Sequence, residues 1–159
     1  EDIVRFAELG VIPSMQATHA TSDKNMAVDR IGDVRIQGAY AWRKLMDAGA
    51  LIANGSDFPV ESPNPFFGLH ASITRQDKDN DPVGGWYPEE RMTDSEAFAS
   101  FTLDAAYSGF QESLLGSLEP GKKADFIVLD RDIFAIPDSE IWQAKALETW
   151  VNGSQVHGK

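Results

Sequence analysis

The chain has 159 residues, 42% hydrophobic and 10% aromatic, enough for one ordinary domain with its own core rather than a disordered segment. Twenty-five acids against 14 bases give a net charge of −11 with no basic run, which argues against a nucleic-acid or an anionic-membrane partner. There is no cysteine, so disulfides, thiolate zinc sites and cysteine nucleophiles are excluded, and a cytoplasmic location is expected, since that absence is compatible with a reducing compartment; no apolar run approaches a membrane span, and nothing at the start looks like a signal peptide.

Residues 2–9 place Ile3, Val4, Phe6, Ala7 and Leu9 largely on one side of a short helix that Gly10 closes. The pattern is helical from the outset and the first residue is Glu1, so a fragment or a trimmed product is expected, with a processed protein that truly starts at Glu1 as the alternative. Val11–Met15 reads as a short strand in which Pro13 is awkward, and Gln16–Asp23 as the polar loop after it. A helix is predicted from about Asp33 to Ala48, closed by Gly49, and then a strand at Leu51–Asn54. Helix, strand, helix, strand with a loop after each strand favours an α/β layout with parallel strands.

The stretch Gly55-Ser56-Asp57-Phe58-Pro59-Val60-Glu61-Ser62-Pro63 ends that second strand in a rigid loop presenting a carboxylate. Asp57 reads equally as a turn former or as a site acid. Asn64 then suits a helix cap and Pro65 a first helical position. Residues 76–92 are loop-like and carry Trp86 and Tyr87, which either pin the loop to the core or touch a ligand. Thr93 and Glu96 fit a capping box opening a helix to about Ser108. Pro120-Gly121 suits a type II turn, Ala124–Asp130 a strand, and Asn152-Gly153 a tight hairpin between Ala146–Val151 and Ser154–His157.

The histidines are His19, His70 and His157, and none lies in a local zinc motif. His157 falls in the terminal hairpin, and His70 on the apolar face of a helix reads as a core histidine. His19 comes after a strand, as Asp57 does. In a parallel barrel both would stand at the carboxyl-terminal rim, where such folds place chemistry.

Residues 55–65 resemble the last barrel strand and loop of metal-dependent amidohydrolases, in particular the amidohydrolase family 3 branch of YtcJ-like proteins and N-substituted formamide deformylases. Ile12–Ala20 resembles that branch's seventh strand and loop, which more usually reads Met-Gln-Pro where this chain has Met15-Gln16-Ala17. Thr74-Arg75-Gln76 with Gly85–Glu90, and Leu115–Asp130, resemble its later segments. The resemblance implies an α/β fold: residues 1–112 as the C-terminal part of a TIM-like (β/α) barrel, about its last two strands with their helices, and residues 113–159 as the closing strands of a small β-sandwich domain.

It further implies a hydrolase acting on a non-peptide C–N bond of a small amide-type substrate through metal-activated water. By that resemblance Asp57 is metal ligand and proton shuttle, and His19, Arg75 and Trp86 are substrate-side residues. For Arg75, an ion pair with one of the acids is the alternative. The cofactor implied for the full-length enzyme is a divalent metal, zinc in most of the family. The family's His-x-His and its other metal ligands would precede Glu1, so this chain alone is expected to bind no metal and to be inactive. A homo-oligomer is expected, because barrel strands without neighbours expose edges. The rival reading is a non-catalytic α/β interaction module that associates through those edges.

Overall fold

The computed structural model describes residues 2–158; Glu1, the expected cut, lies outside them. The architecture is mixed α/β with two small sheets. Helix α1 (Ile3–Glu8) leads to strand β1 (Ser14–Met15), which pairs in parallel with β2 (Ala53–Asn54), Ser14 opposite Ala53 and Met15 opposite Asn54. Parallel neighbours need a crossover, here helices α2 (Ala17–Asp23), α3 (Ala27–Arg35) and α4 (Trp42–Asp47). β1 is shorter than Val11–Met15 predicts. Pro13 has no N–H to give and joins the ladder only by accepting from the Ala53 N–H at 3.1 Å.

Two segments differ from their sequence patterns. Gln16–Asp23 is not a loop, since all but Gln16 form α2. No side chain caps that helix. Its stability comes from packing, with Ala17, Thr18, Ala20 and Thr21 buried and the helix lying against α5 (Pro65–Thr74). The predicted Asp33–Ala48 helix is broken by a 3₁₀ turn at Ile36–Gly38 and a left-handed Tyr40 at φ 51°. Ile36 and Trp42 are both fully buried. On one straight helix they would point about 120° apart, so the break lets both reach the interior.

Asn64 caps α5, its Oδ1 accepting from the Phe66 N–H at 3.1 Å, and Pro65 takes the first position. Every residue from Gly68 to Thr74 is buried. Gly68 lies under the Phe101 ring, which an added Cβ would strike. His70 is a core histidine: its Nε2 lies 3.0 Å from Asn80 Oδ1, and burial pushes its pKa down.

α5 ends on Arg75, left-handed at φ 60°, whose N–H reaches Ala71 O at 2.9 Å. The Arg75 side chain has no exposed surface. Its Nε donates to Trp86 O at 2.7 Å and its Nη1 to Tyr40 O at 3.0 Å. The guanidinium lies 4.1 Å from the Trp42 ring centre and 5.2 Å from that of Trp86. The Trp86 N–H returns to Arg75 O at 2.9 Å. Burial pushes the Arg75 pKa down to about 10, partly offset by Glu90 and Glu89, so it stays charged at neutral pH. The loop passes close enough that a Cβ at Gly85 would come within 3.2 Å of Arg75 Cβ, and Gly85 sits at φ 88°. Trp86, packed against the core, therefore pins this loop to it.

The capping box forms as predicted: Thr93 Oγ1 accepts from the Glu96 N–H at 3.3 Å, and Glu96 Oε2 accepts from the Thr93 N–H at 2.8 Å. The helix it opens does not run unbroken to Ser108. It divides at Thr102 into α6 (Asp94–Phe101) and α7 (Leu103–Ser108). The Thr102 hydroxyl donates back to Phe98 O at 2.8 Å, a local bond that competes with helical geometry. Arg43 grips Glu96 with both terminal nitrogens. β3 (Phe126–Leu129), β4 (Ala146–Val151) and β5 (Ser154–His157) form an antiparallel sheet in that order. Asn152 and Gly153 turn the hairpin at φ 50° and 74°, and Pro120-Gly121 makes the expected turn with the Lys122 N–H on Glu119 O at 3.1 Å. The 3₁₀ turn Asp138–Gln143 packs on α5.

Arg75→Lys should lower stability by about 2–4 kcal/mol, because a lysine cannot serve Tyr40 O and Trp86 O together or stack between indoles. Urea unfolding measures this, and a loss below about 1 kcal/mol would refute it. The Glu96 carboxyl is held down from 4.5 to about 2, chiefly by the Arg43 hydrogen bonds. A depressed carboxyl stabilises the fold fully above its unfolded value and loses that contribution as pH falls through its folded value. Glu96→Gln should therefore flatten the loss of stability between pH 4.5 and about 2 by about 1–2 kcal/mol, read from unfolding midpoints across that window.

Candidate active site

The carboxyl ends of β1 and β2 lie side by side, so the segments leaving the two strands share one end of the small sheet. Two residues beyond Met15, α2 begins, and its first turn carries His19. Three residues beyond Asn54 stands Asp57, in the left-handed region at φ 54°. That conformation costs a non-glycine residue on the order of 1 kcal/mol and persists only where the surroundings impose it. Here the Val60 N–H closes a turn on Asp57 O at 2.8 Å, and Ser56 Oγ accepts from the Phe58 N–H at 3.3 Å.

His19 Nε2 and Asp57 Oδ2 are 3.8 Å apart. This is ion-pair range and beyond a hydrogen bond. The Asp57 side chain is 55% exposed and that of His19 26%. His19 Nε2 is buried without a hydrogen-bond partner among the described residues. Ser22, one helical turn past His19, donates from Oγ to Glu61 Oε1 at 2.6 Å and so ties α2 to the Asp57 loop. Asn54 anchors the strand end: its Nδ2 donates to Ser100 Oγ at 3.0 Å, while its Oδ1 is buried and has no partner among the described residues.

An exposed carboxylate beside an imidazole can accept, hold and release a proton. Carboxylate oxygen and imidazole nitrogen are also donors that a divalent cation takes. Among the described residues no group of three His, Cys, Asp or Glu side chains is placed to hold a metal, whereas a catalytic zinc takes three protein ligands. The exposed Asp57 carboxylate fits as one member of such a set.

Arg75 and Trp86 stand against each other and against Trp42 and Tyr40, with no hydrogen bond or ion pair to His19 or Asp57 among the described residues. With no exposed surface, the Arg75 guanidinium acts in this structure as a tie between elements. Glu61 and Asn54 were not singled out by sequence reasoning. The Gly55/Pro59 framing marks the loop that holds Glu61, but nothing local marks either residue's partner, which comes from 39 or 46 positions away. No described helix is long and apolar enough to cross a membrane.

The sequence is 30% identical over 159 residues to the putative amidohydrolase YtcJ of Bacillus subtilis, spanning all of this chain and 30% of that protein. It is 31% identical over 111 residues to the N-substituted formamide deformylase of Arthrobacter pascens, covering 70% of this chain and 20% of that enzyme. In structure it is similar to an uncharacterized metal-dependent hydrolase from Pyrococcus horikoshii, with a TM-score of 0.75 and 28% identity over 86% of this chain and 28% of that one. The chain thus spans less than a third of the length of these relatives. The sequence model of the amidohydrolase family matches residues 1–157, and the chain belongs to that family.

Proposed function

We propose that this chain is the C-terminal portion of a metal-dependent amidohydrolase that hydrolyses a non-peptide C–N bond of a small amide-type substrate. The observation that carries the reading is the meeting of His19 and Asp57 at the carboxyl ends of two parallel strands. In this reading residues 1–112 are the last part of a (β/α) barrel and residues 113–159 close a small β domain. The relative named as a formamide deformylase supports the C–N assignment by its name.

The family's divalent cation, when bound, supplies an acidified water. Asp57 Oδ2 holds the proton released in attack and passes it to the leaving nitrogen. Its left-handed backbone and the closed 57–60 turn fix where the side chain starts, and among the described residues its carboxylate takes no hydrogen bond, which leaves it available for this exchange. His19 lies on the substrate side, where its unpartnered Nε2 can meet a polar substrate atom. The remaining cation ligands lie outside this chain.

In the enzyme that includes this chain, Asp57→Asn should lower kcat for amide hydrolysis by about 10²–10⁴-fold with the fold intact by circular dichroism. Retention of more than a tenth of the activity would end the assignment. Calorimetric titration of the 159-residue chain with zinc should show no tight one-to-one binding. Stoichiometric tight binding would show that the ligand set is complete within it.

One observation favours a second reading. β1 and β2 form a two-stranded sheet, and Val4, Leu9 and Val11 nearby are exposed. Such a pair is marginal alone and presents edges for association. Light scattering of the 17.5 kDa chain should then give at least twice that mass, and a clean monomer would exclude self-association.

A further inference from the structure

A cleft of about 390 Å³ lies between α2, the loop after Asp57, the start of the 76–92 loop and Trp142. Its size is that of a small-molecule site. The charges on its walls are nearly all spent on one another. Lys24 is held by Asp77 and by Asp81, the latter at 2.8 Å, and Lys78 pairs with Asp79 at 2.8 Å. Glu61 is the exception. Its one polar contact among the described residues is the Ser22 hydroxyl at Oε1, and none of them gives it a cationic partner.

The cleft also has an aromatic wall, Phe67 and Trp142, with ring centres 6.3 Å apart and planes tilted by 53°. Two buried polar atoms on lining residues, Thr18 Oγ1 and Trp142 Nε1, have no hydrogen-bond partner among the described residues. A carboxylate without a counter-ion next to aromatic faces is the environment that an organic cation stabilises, through charge and through the ring quadrupole.

We propose that this cleft binds a small organic cation, a primary ammonium or a guanidinium, with Glu61 as its counter-ion and Phe67 and Trp142 as its aromatic wall. Glu61 lies four residues after Asp57 on the same loop, so an occupant would bear on the loop that carries the carboxylate.

The test is a titration of the chain with methylguanidinium and with butylammonium, monitored through the indole N–H resonances, that of Trp142 being assigned with Trp142→Phe. Each cation should produce a saturable shift of the Trp142 resonance, while N-methylurea and butanol should not. Glu61→Gln keeps an acceptor for Ser22 and removes the charge. It should weaken binding of both cations at least tenfold, with the Trp42, Trp86 and Trp150 resonances unmoved as evidence of an intact fold. Absence of a saturable shift, or equal binding by the neutral analogues or by Glu61→Gln, would overturn the proposal. No hydrolysis is measured, so failure here leaves the hydrolase reading untouched.

Discussion

A charged guanidinium with no exposed surface is the constraint on which the packing turns. Removing Arg75 from water is unfavourable unless every face of the group is met. The protein meets most of them with two backbone carbonyls from separate segments, Tyr40 and Trp86, and two indole faces, Trp42 and Trp86. Those partners come from the entry to α4 and the return of the 76–92 loop, and Arg75 itself from the end of α5. Only a planar, multi-donor cation can link three such segments at one point. Glu90, itself buried and gripped by Lys44, adds negative potential on the same side. A long loop rich in aspartate is thus ordered from its middle.

The candidate site depends on that framework at one remove. α5 packs on α2, and α2 carries both His19 and the serine that fixes the Asp57 loop. The other anchor is Asn54, clipped to α6 through Ser100. α6 is held in turn by its capping box and by Arg43. The carboxylate of Asp57 is therefore positioned by backbone geometry and by neighbours of neighbours, while its own oxygens take no hydrogen bond among the described residues. That combination suits a group that must change partners.

Features settled by a few adjacent residues were legible in the sequence. The Asn152-Gly153 hairpin, the Thr93–Glu96 box, the Asn64-Pro65 helix start and the Pro120-Gly121 turn each depend on local dihedral preference or a local hydrogen bond, and each is present. What could not be read was set by distant partners. α2 has a loop-like composition and no cap, and it is helical because the interior accepts its small residues. The breaks at Tyr40 and Thr102 answer to burial and to a back-bonded hydroxyl, which periodicity alone does not register. Within the site, the local pattern left Asp57 open between turn former and site acid, and the resemblance of residues 55–65 to an amidohydrolase loop decided for the site, while His19 stood out as a polar residue after a strand. Their 3.8 Å approach needed the parallel pairing of β1 with β2. The burial of Arg75 was hidden for the opposite reason: in an acidic sequence an arginine reads as a partner of one of the acids, and its two carbonyl partners, at Tyr40 and Trp86, carry no side-chain signal.

The pairing of β1 with β2 has a kinetic side. Ser14 and Ala53 lie about forty positions apart, and the ladder between them is only two residues long. Closing a loop of that length costs entropy before the ladder returns anything, so the crossover helices must be largely assembled before the strands can meet. The same economy operates in reverse. A short ladder closed late is among the first elements to open under native conditions. His19 and Asp57 would then separate in a sub-global opening that leaves the Arg75 stack and the C-terminal sheet in place, so the lifetime of the pair is set by the strands rather than by the stability of the whole chain.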